Sequence, residues 1–112
     1  MSAITTHVLD TSTGRPAAGV PVTLEKQAGG GWQSAGQGVT NQDGRITDLL
    51  GGAKLAAGTY RLTFDTATYF RANQQSSFYP QVQVMFTVSD AGQHCHVPLL
   101  LSPFGYSTYR GS

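Results

Sequence analysis

Charge is scarce in this chain. Of its 112 residues only 12% are Asp, Glu, Lys or Arg, half the usual ~25% of a soluble domain. Seven basic residues against six acidic ones leave a net charge of +1, and they form no basic stripe of the kind that a phosphate backbone demands. Nucleic acid is therefore not an expected partner. Glu25 is the only glutamate, and no second carboxylate stands at a telling spacing, which argues against a two-carboxylate glycosidase. The one cysteine, Cys95, cannot form an internal disulfide and fits a reducing compartment. No apolar run approaches the ~20 residues needed to span a bilayer. The stretch Met1–His7 has neither a basic n-region nor an apolar h-region. These shortages predict a soluble, cytoplasmic protein with no membrane partner.

What fills the space is Gly (14 residues), Thr (13), Ser (9) and Gln (9), with Val, Tyr and Phe. Few Lys and Glu with many β-branched and aromatic residues is a strand-forming composition. The length predicts a single domain over 1–112, large enough for one core without staples. Between Phe78 and Ser89 the even positions are Phe78, Pro80, Val82, Val84, Phe86 and Val88, which predicts one long strand with a core-facing side. A turn at Asp90-Ala91-Gly92 leads to a strand from Gln93 to Ser102, with Cys95, Val97, Leu99 and Leu101 on one face and His94, His96, Pro98 and Leu100 on the other. A short strand from Gly105 to Arg110 follows Pro103. Earlier, Ala3–Leu9 predicts a strand with Thr5, His7 and Leu9 on one side and Ile4, Thr6 and Val8 on the other. Val20, Val22 and Leu24 mark the next strand, and Gly29-Gly30-Gly31 a hairpin into a strand through Trp32. Asn41-Gln42-Asp43-Gly44 is a turn, Tyr60, Leu62 and Phe64 a strand, and Asp65 caps a helix from Thr66 to Gln74. Seven or eight strands with turns every ten residues or so predict an all-β, antiparallel two-sheet sandwich with one short helix. Its edge strands, poor in charge, are naturally covered by oligomerisation.

Three histidines are the first candidates for chemistry. His94 and His96 lie two apart on one strand, so they point the same way, about 6.6 Å apart along it. A lone strand histidine is more often structural, and two on one face weaken that ordinary reading. With His7 they also make a conceivable zinc set, but nothing in the chain fixes the third ligand. Arg45 follows the Asp43-Gly44 turn, where a guanidinium fork suits a planar ligand with paired acceptors; an exposed, solvated arginine is the plain alternative. Cys95 shares its face with Val97, Leu99 and Leu101 and reads as a buried thiol rather than a nucleophile. There is no Gly-x-Ser-x-Gly elbow and no phosphate-cradling loop. On composition alone the tail Tyr109-Arg110-Gly111-Ser112 reads as disordered.

Taken together, His7-Val8-Leu9-Asp10, Thr13-Gly14-Arg15-Pro16-Ala17, Asp43-Gly44-Arg45, His94–Pro103 and Tyr106–Ser112 resemble the 5-hydroxyisourate hydrolases, the transthyretin-related family of urate breakdown. The resemblance covers essentially the whole chain, and its most specific part is the terminal Tyr-Arg-Gly-Ser. It implies a transthyretin-like sandwich assembled as a homotetramer, a dimer of dimers with active sites at the dimer–dimer interface. It implies cofactor-free, metal-free hydrolysis of a cyclic amide, with His7, Arg45 and His96 as catalytic residues. Tyr109, Arg110, Gly111 and Ser112 would bind substrate. Cys95 stands where family members often carry an aromatic residue. The rival expectation from the same resemblance is a small-molecule carrier of the transthyretin kind, without catalysis.

Overall fold

The computed structural model describes Ala3 to Gly111. Alternation of buried and open residues builds most of it. The first strand, β1 (Ile4–Asp10), buries Ile4, Thr6, Val8 and Asp10 and leaves His7 and Leu9 half-buried. Two-residue strands β2 (Arg15–Pro16) and β5 (Arg45–Ile46) both lie along it. A hairpin of β3 (Pro21–Ala28) and β4 (Gly31–Val39) turns at Gly29 and Gly30, whose φ angles of 56° and 83° suit glycine. The strand β6 (Gly58–Phe64) buries Tyr60, Leu62 and Phe64, as its alternation predicts.

Asp65 then caps the helix α1 (Thr66–Ala72), its carboxylate accepting from the Thr68 backbone N–H. The helix stops short of the predicted Gln74, because Gln74 adopts φ 57° and the Gln75 N–H returns to the Phe70 carbonyl, a left-handed stop. Three strands complete the fold: β7 (Val82–Val88), β8 (Cys95–Ser102) and β9 (Gly105–Thr108).

These strands form two sheets. One runs β2-β1-β8-β9, with β5 also against β1; the other runs β4-β3-β6-β7. Apolar side chains from both, with Phe70 of α1, fill the space between them.

The structure also corrects the strand reading. The long strand expected from Phe78 begins only at Val82. Pro80 has no N–H to offer a ladder, and the carbonyls of Tyr79 and Pro80 are taken by Thr66 Oγ1 and the Ala67 N–H of the helix. The turn expected at Asp90-Ala91-Gly92 is present, and it carries the chain from one sheet to the other, since β7 pairs with β6 whereas β8 pairs with β1 and β9. The sheets are also not wholly antiparallel: β1 and β8 run parallel over seven residue pairs.

Candidate functional site

That parallel pairing decides where the candidate residues fall. Partners across a ladder project to the same side of a sheet, and residues two apart on one strand do so as well. Thr5 pairs with His96, His7 with Pro98, and on the other side of β1 His7 pairs with Arg45. Thr5, His7, Arg45 and His96 therefore share the face of the first sheet that points away from the core. Residues separated by up to 91 positions become neighbours in three adjacent strands.

The closest geometry is around His96. Its Nδ1 lies 2.8 Å from Thr5 Oγ1, and the same hydroxyl lies 3.0 Å from His94 Nε2. Thr5 is nearly buried, at 9% exposure, so its hydroxyl is held by the sheet rather than by solvent. A shallow depression of about 300 Å³ opens over this cluster, lined by Thr5, Thr6, Arg45, Thr47, His94 and His96. His7 borders this region through its pairing with Arg45 but does not line the depression itself.

The electrostatics favour a neutral His96. Partial burial lowers its proton affinity below the ordinary value of 6.5, and the positive charges of Arg45, His7 and His94 lower it further. A neutral imidazole with a free nitrogen can take a proton from water. Among the described residues no group of three or more His, Cys, Asp or Glu side chains is arranged to hold a metal ion.

The tail is ordered against this site. After β9, the Gly111 N–H donates to the His96 carbonyl at 2.9 Å, an isolated bridge beyond the strand's end. A Cβ on residue 111 would stand 2.5 Å from His96 Cδ2, 3.2 Å from its Cγ and 3.1 Å from Pro98 Cγ. The absence of a side chain there lets the chain lie flat on the imidazole. Arg110 Nη2 donates to Gln93 Oε1 at 3.2 Å. Within one chain, Tyr109 and Arg110 border a different cavity of about 200 Å³, an apolar cleft with Val84, Phe86, Cys95 and Val97. Of the expected substrate-binding residues Ser112 lies outside the described residues.

Sequence reasoning missed Thr5. Its place on the His7 side of the first strand was legible, but its contact with two histidines depends on a pairing that no local pattern reports.

The chain matches the HIUase/Transthyretin family over residues 4–111. It is 47% identical to the 5-hydroxyisourate hydrolase of Salmonella dublin over 109 residues, which cover 97% of this chain and 80% of that protein. Its fold is similar to the solved 5-hydroxyisourate hydrolase of Klebsiella pneumoniae, with a TM-score of 0.87, 40% identity, and coverage of 99% of this chain and 100% of that one. It is similar also to sea bream transthyretin in complex with thyroxine, with a TM-score of 0.90, 32% identity, and coverage of 96% and 93%. The match over nearly its whole length, on a sandwich with this register, shows that the chain belongs to the HIUase/Transthyretin family.

Proposed function

We propose that this protein hydrolyses 5-hydroxyisourate to 2-oxo-4-hydroxy-4-carboxy-5-ureidoimidazoline, a step of urate breakdown. The observation that carries the reading is the common face of His7, Arg45 and His96, fixed by the β5–β1–β8 register, with His96 kept neutral. The 5-hydroxyisourate hydrolases of Salmonella and Klebsiella support the choice of substrate.

In this mechanism His96 Nε2 takes a proton from water as the water oxygen attacks a ring carbonyl carbon. Arg45 faces the oxyanion that develops there; one good donor of this kind lowers the barrier by roughly 3 kcal/mol. The carbon–nitrogen bond then breaks and the leaving nitrogen takes up a proton, with His7 orienting the water or supplying that proton. A positioned base of this sort accelerates reaction by about 10²–10⁴-fold. The substrate is a strained, electron-poor cyclic amide, and this scheme routes no step through a metal or organic cofactor. Of the expected substrate-binding tail, Gly111 lies against the His96 ring, and we assign Tyr109 and Arg110 to contact with the heterocycle. A cytoplasmic homotetramer, with sites where dimers meet, places the open face of the first sheet inside a shared channel.

Replacing His96 by Asn tests the assignment. Accelerated decay of the substrate's ultraviolet absorbance is expected to vanish while the oligomer persists, and full activity in H96N would remove His96 as the base. The parent's activity is expected to be unchanged by a chelator. The likeness to a thyroxine-bound transthyretin motivates a second reading, a carrier that binds a small apolar molecule without turning it over. Saturable binding of such a ligand with no hydrolysis of 5-hydroxyisourate would favour the carrier.

A further inference from the structure

The Thr5 hydroxyl stands between two imidazoles, and a hydroxyl has one hydrogen to give. It can donate to only one of the two ring nitrogens, so at least one of them must donate to it. Where Thr5 gives its hydrogen to one of the rings, two arrangements satisfy both contacts. In one, Thr5 donates to His96 Nδ1 and His94 Nε2–H donates to Thr5, which leaves the proton of a neutral His96 on Nε2. In the other, His96 Nδ1–H donates to Thr5 and Thr5 donates onward to His94 Nε2, which leaves His96 Nε2 with a free lone pair. In a third, both rings donate to the Thr5 oxygen, which also places the His96 proton on Nδ1.

The surroundings of the His96 ring bear on the choice. Nδ1 is held by Thr5, and the Cγ–Cδ2 edge lies under Gly111. Nε2 is the ring nitrogen with no hydrogen-bond partner among the described residues, and no buried side-chain polar atom lacks one, so Nε2 is open to the site. The charged and titratable groups around it are Arg45 on β5, His7 on β1 and His94 just ahead of β8. A guanidinium lining the same depression favours a lone pair over an N–H at the open nitrogen.

We propose that Thr5 is a positioning residue that, with its hydrogen held by His94, fixes His96 as the Nδ1–H tautomer and aims the Nε2 lone pair at the attacking water. This deepens the hydrolase reading and rests on His96 being its base. In this role Thr5 acts through the ring it orients, by its contact with His96 Nδ1. His94 thereby gains a role that its spacing alone did not give, as the acceptor that keeps the Thr5 hydroxyl turned away from His96.

The test is ¹⁵N NMR of histidine-labelled protein at a pH where His96 is neutral, combined with steady-state kinetics. The parent is expected to show a protonated Nδ1 and an unprotonated Nε2 at His96. Thr5→Val keeps the shape but not the hydroxyl; it should move the ¹⁵N shifts toward a tautomer mixture and lower kcat on the order of 10- to 100-fold with KM little changed. Thr5→Ser should restore both the shifts and kcat. His94→Phe, which removes the acceptor, should shift the tautomer in the same direction as T5V. A parent spectrum with the proton on Nε2 overturns the proposal even if T5V fails to fold. Unchanged His96 shifts in folded T5V overturn it as well. An active H96N would sink the base assignment while leaving the tautomer measurement to stand or fall alone, so the two failures are distinguishable.

Discussion

His96 is held at three points by two segments: Gly111 on its backbone carbonyl, Thr5 on its Nδ1, and Gly111 again across Cγ and Cδ2. Gly111 is thus specified by contact rather than by backbone freedom. Gly111→Ala must lift the tail from the imidazole or tilt the ring. A displacement of about 1 Å in a reacting group costs on the order of 100-fold in rate, so kcat/KM for 5-hydroxyisourate should fall by that order. Thermal stability should barely move, because the tail contributes little to the core. Parent-like kinetics in G111A would show the tail to be passive. The same histidine sets a pH expectation. Its proton affinity lies below 6.5, so the neutral base persists where a free imidazole charges, and the acid limb of kcat/KM should fall below pH 6.5. Arg45→Gln removes one opposing charge and should move the His96 titration upward, read by NMR even where activity is lost. The sign for stability follows from the same shift. Below pH 6.5 the unfolded chain binds a proton that the folded His96 resists, so stability falls as pH drops through that window toward the lowered folded value.

Among the elements, alternation made β1, β3, β6 and most of β7 legible, because each has one face on the core and one away from it. The helix was legible from Asp65, whose carboxylate accepts from both the N–H and the hydroxyl of Thr68. Asp65→Ala should cost about 1 kcal/mol of stability in urea unfolding, with hydrolysis untouched, since the cap lies on the other sheet's side of the fold. A loss within error of zero would mean that packing of Tyr69 and Phe70 alone holds the helix. What the sequence did not reveal has a common cause. The β1–β8 ladder joins residues about ninety positions apart, and β5 is two residues long, so neither leaves a local periodicity to read. Phe78 and Pro80 continue the strand pattern in sequence, but the Phe78 N–H donates to the Pro103 carbonyl and the Pro80 carbonyl accepts from the Ala67 N–H of the helix. The catalytic candidates were therefore identifiable as residue types and through family resemblance, whereas their convergence on one sheet face, and Thr5 among them, depended on pairings that only the folded chain displays.

For the molecule as a whole, the helix and the first sheet are tied together by one buried polar contact. Asp10, 1% exposed at the end of β1, accepts from the Ser12 N–H and hydroxyl at one carboxylate oxygen and from the Tyr69 hydroxyl, at 2.7 Å, at the other. Burial, then the hydrogen bond to Asp10 and its charge, hold the Tyr69 phenol above its ordinary range, so it remains a donor throughout the working pH. Tyr69→Phe keeps the ring packed on Phe70 but leaves Asp10 Oδ2 buried without that donor. Hydrogen bonds to charged groups are worth about 1.5–3 kcal/mol, a sizeable share of the ~5–15 kcal/mol that holds a domain of this size together. Tm should fall on the order of 10 °C. The site should not register the change: Thr5 lies five residues away along β1, roughly 16 Å at strand rise, and effects at such distances are close to independent. An unchanged Tm in Y69F would mean that the second carboxylate oxygen draws its stabilisation from elsewhere. A lowered kcat at temperatures well below the transition would mean that the Asp10 end of β1 helps hold Thr5 against His96, and that the strand transmits strain along its length.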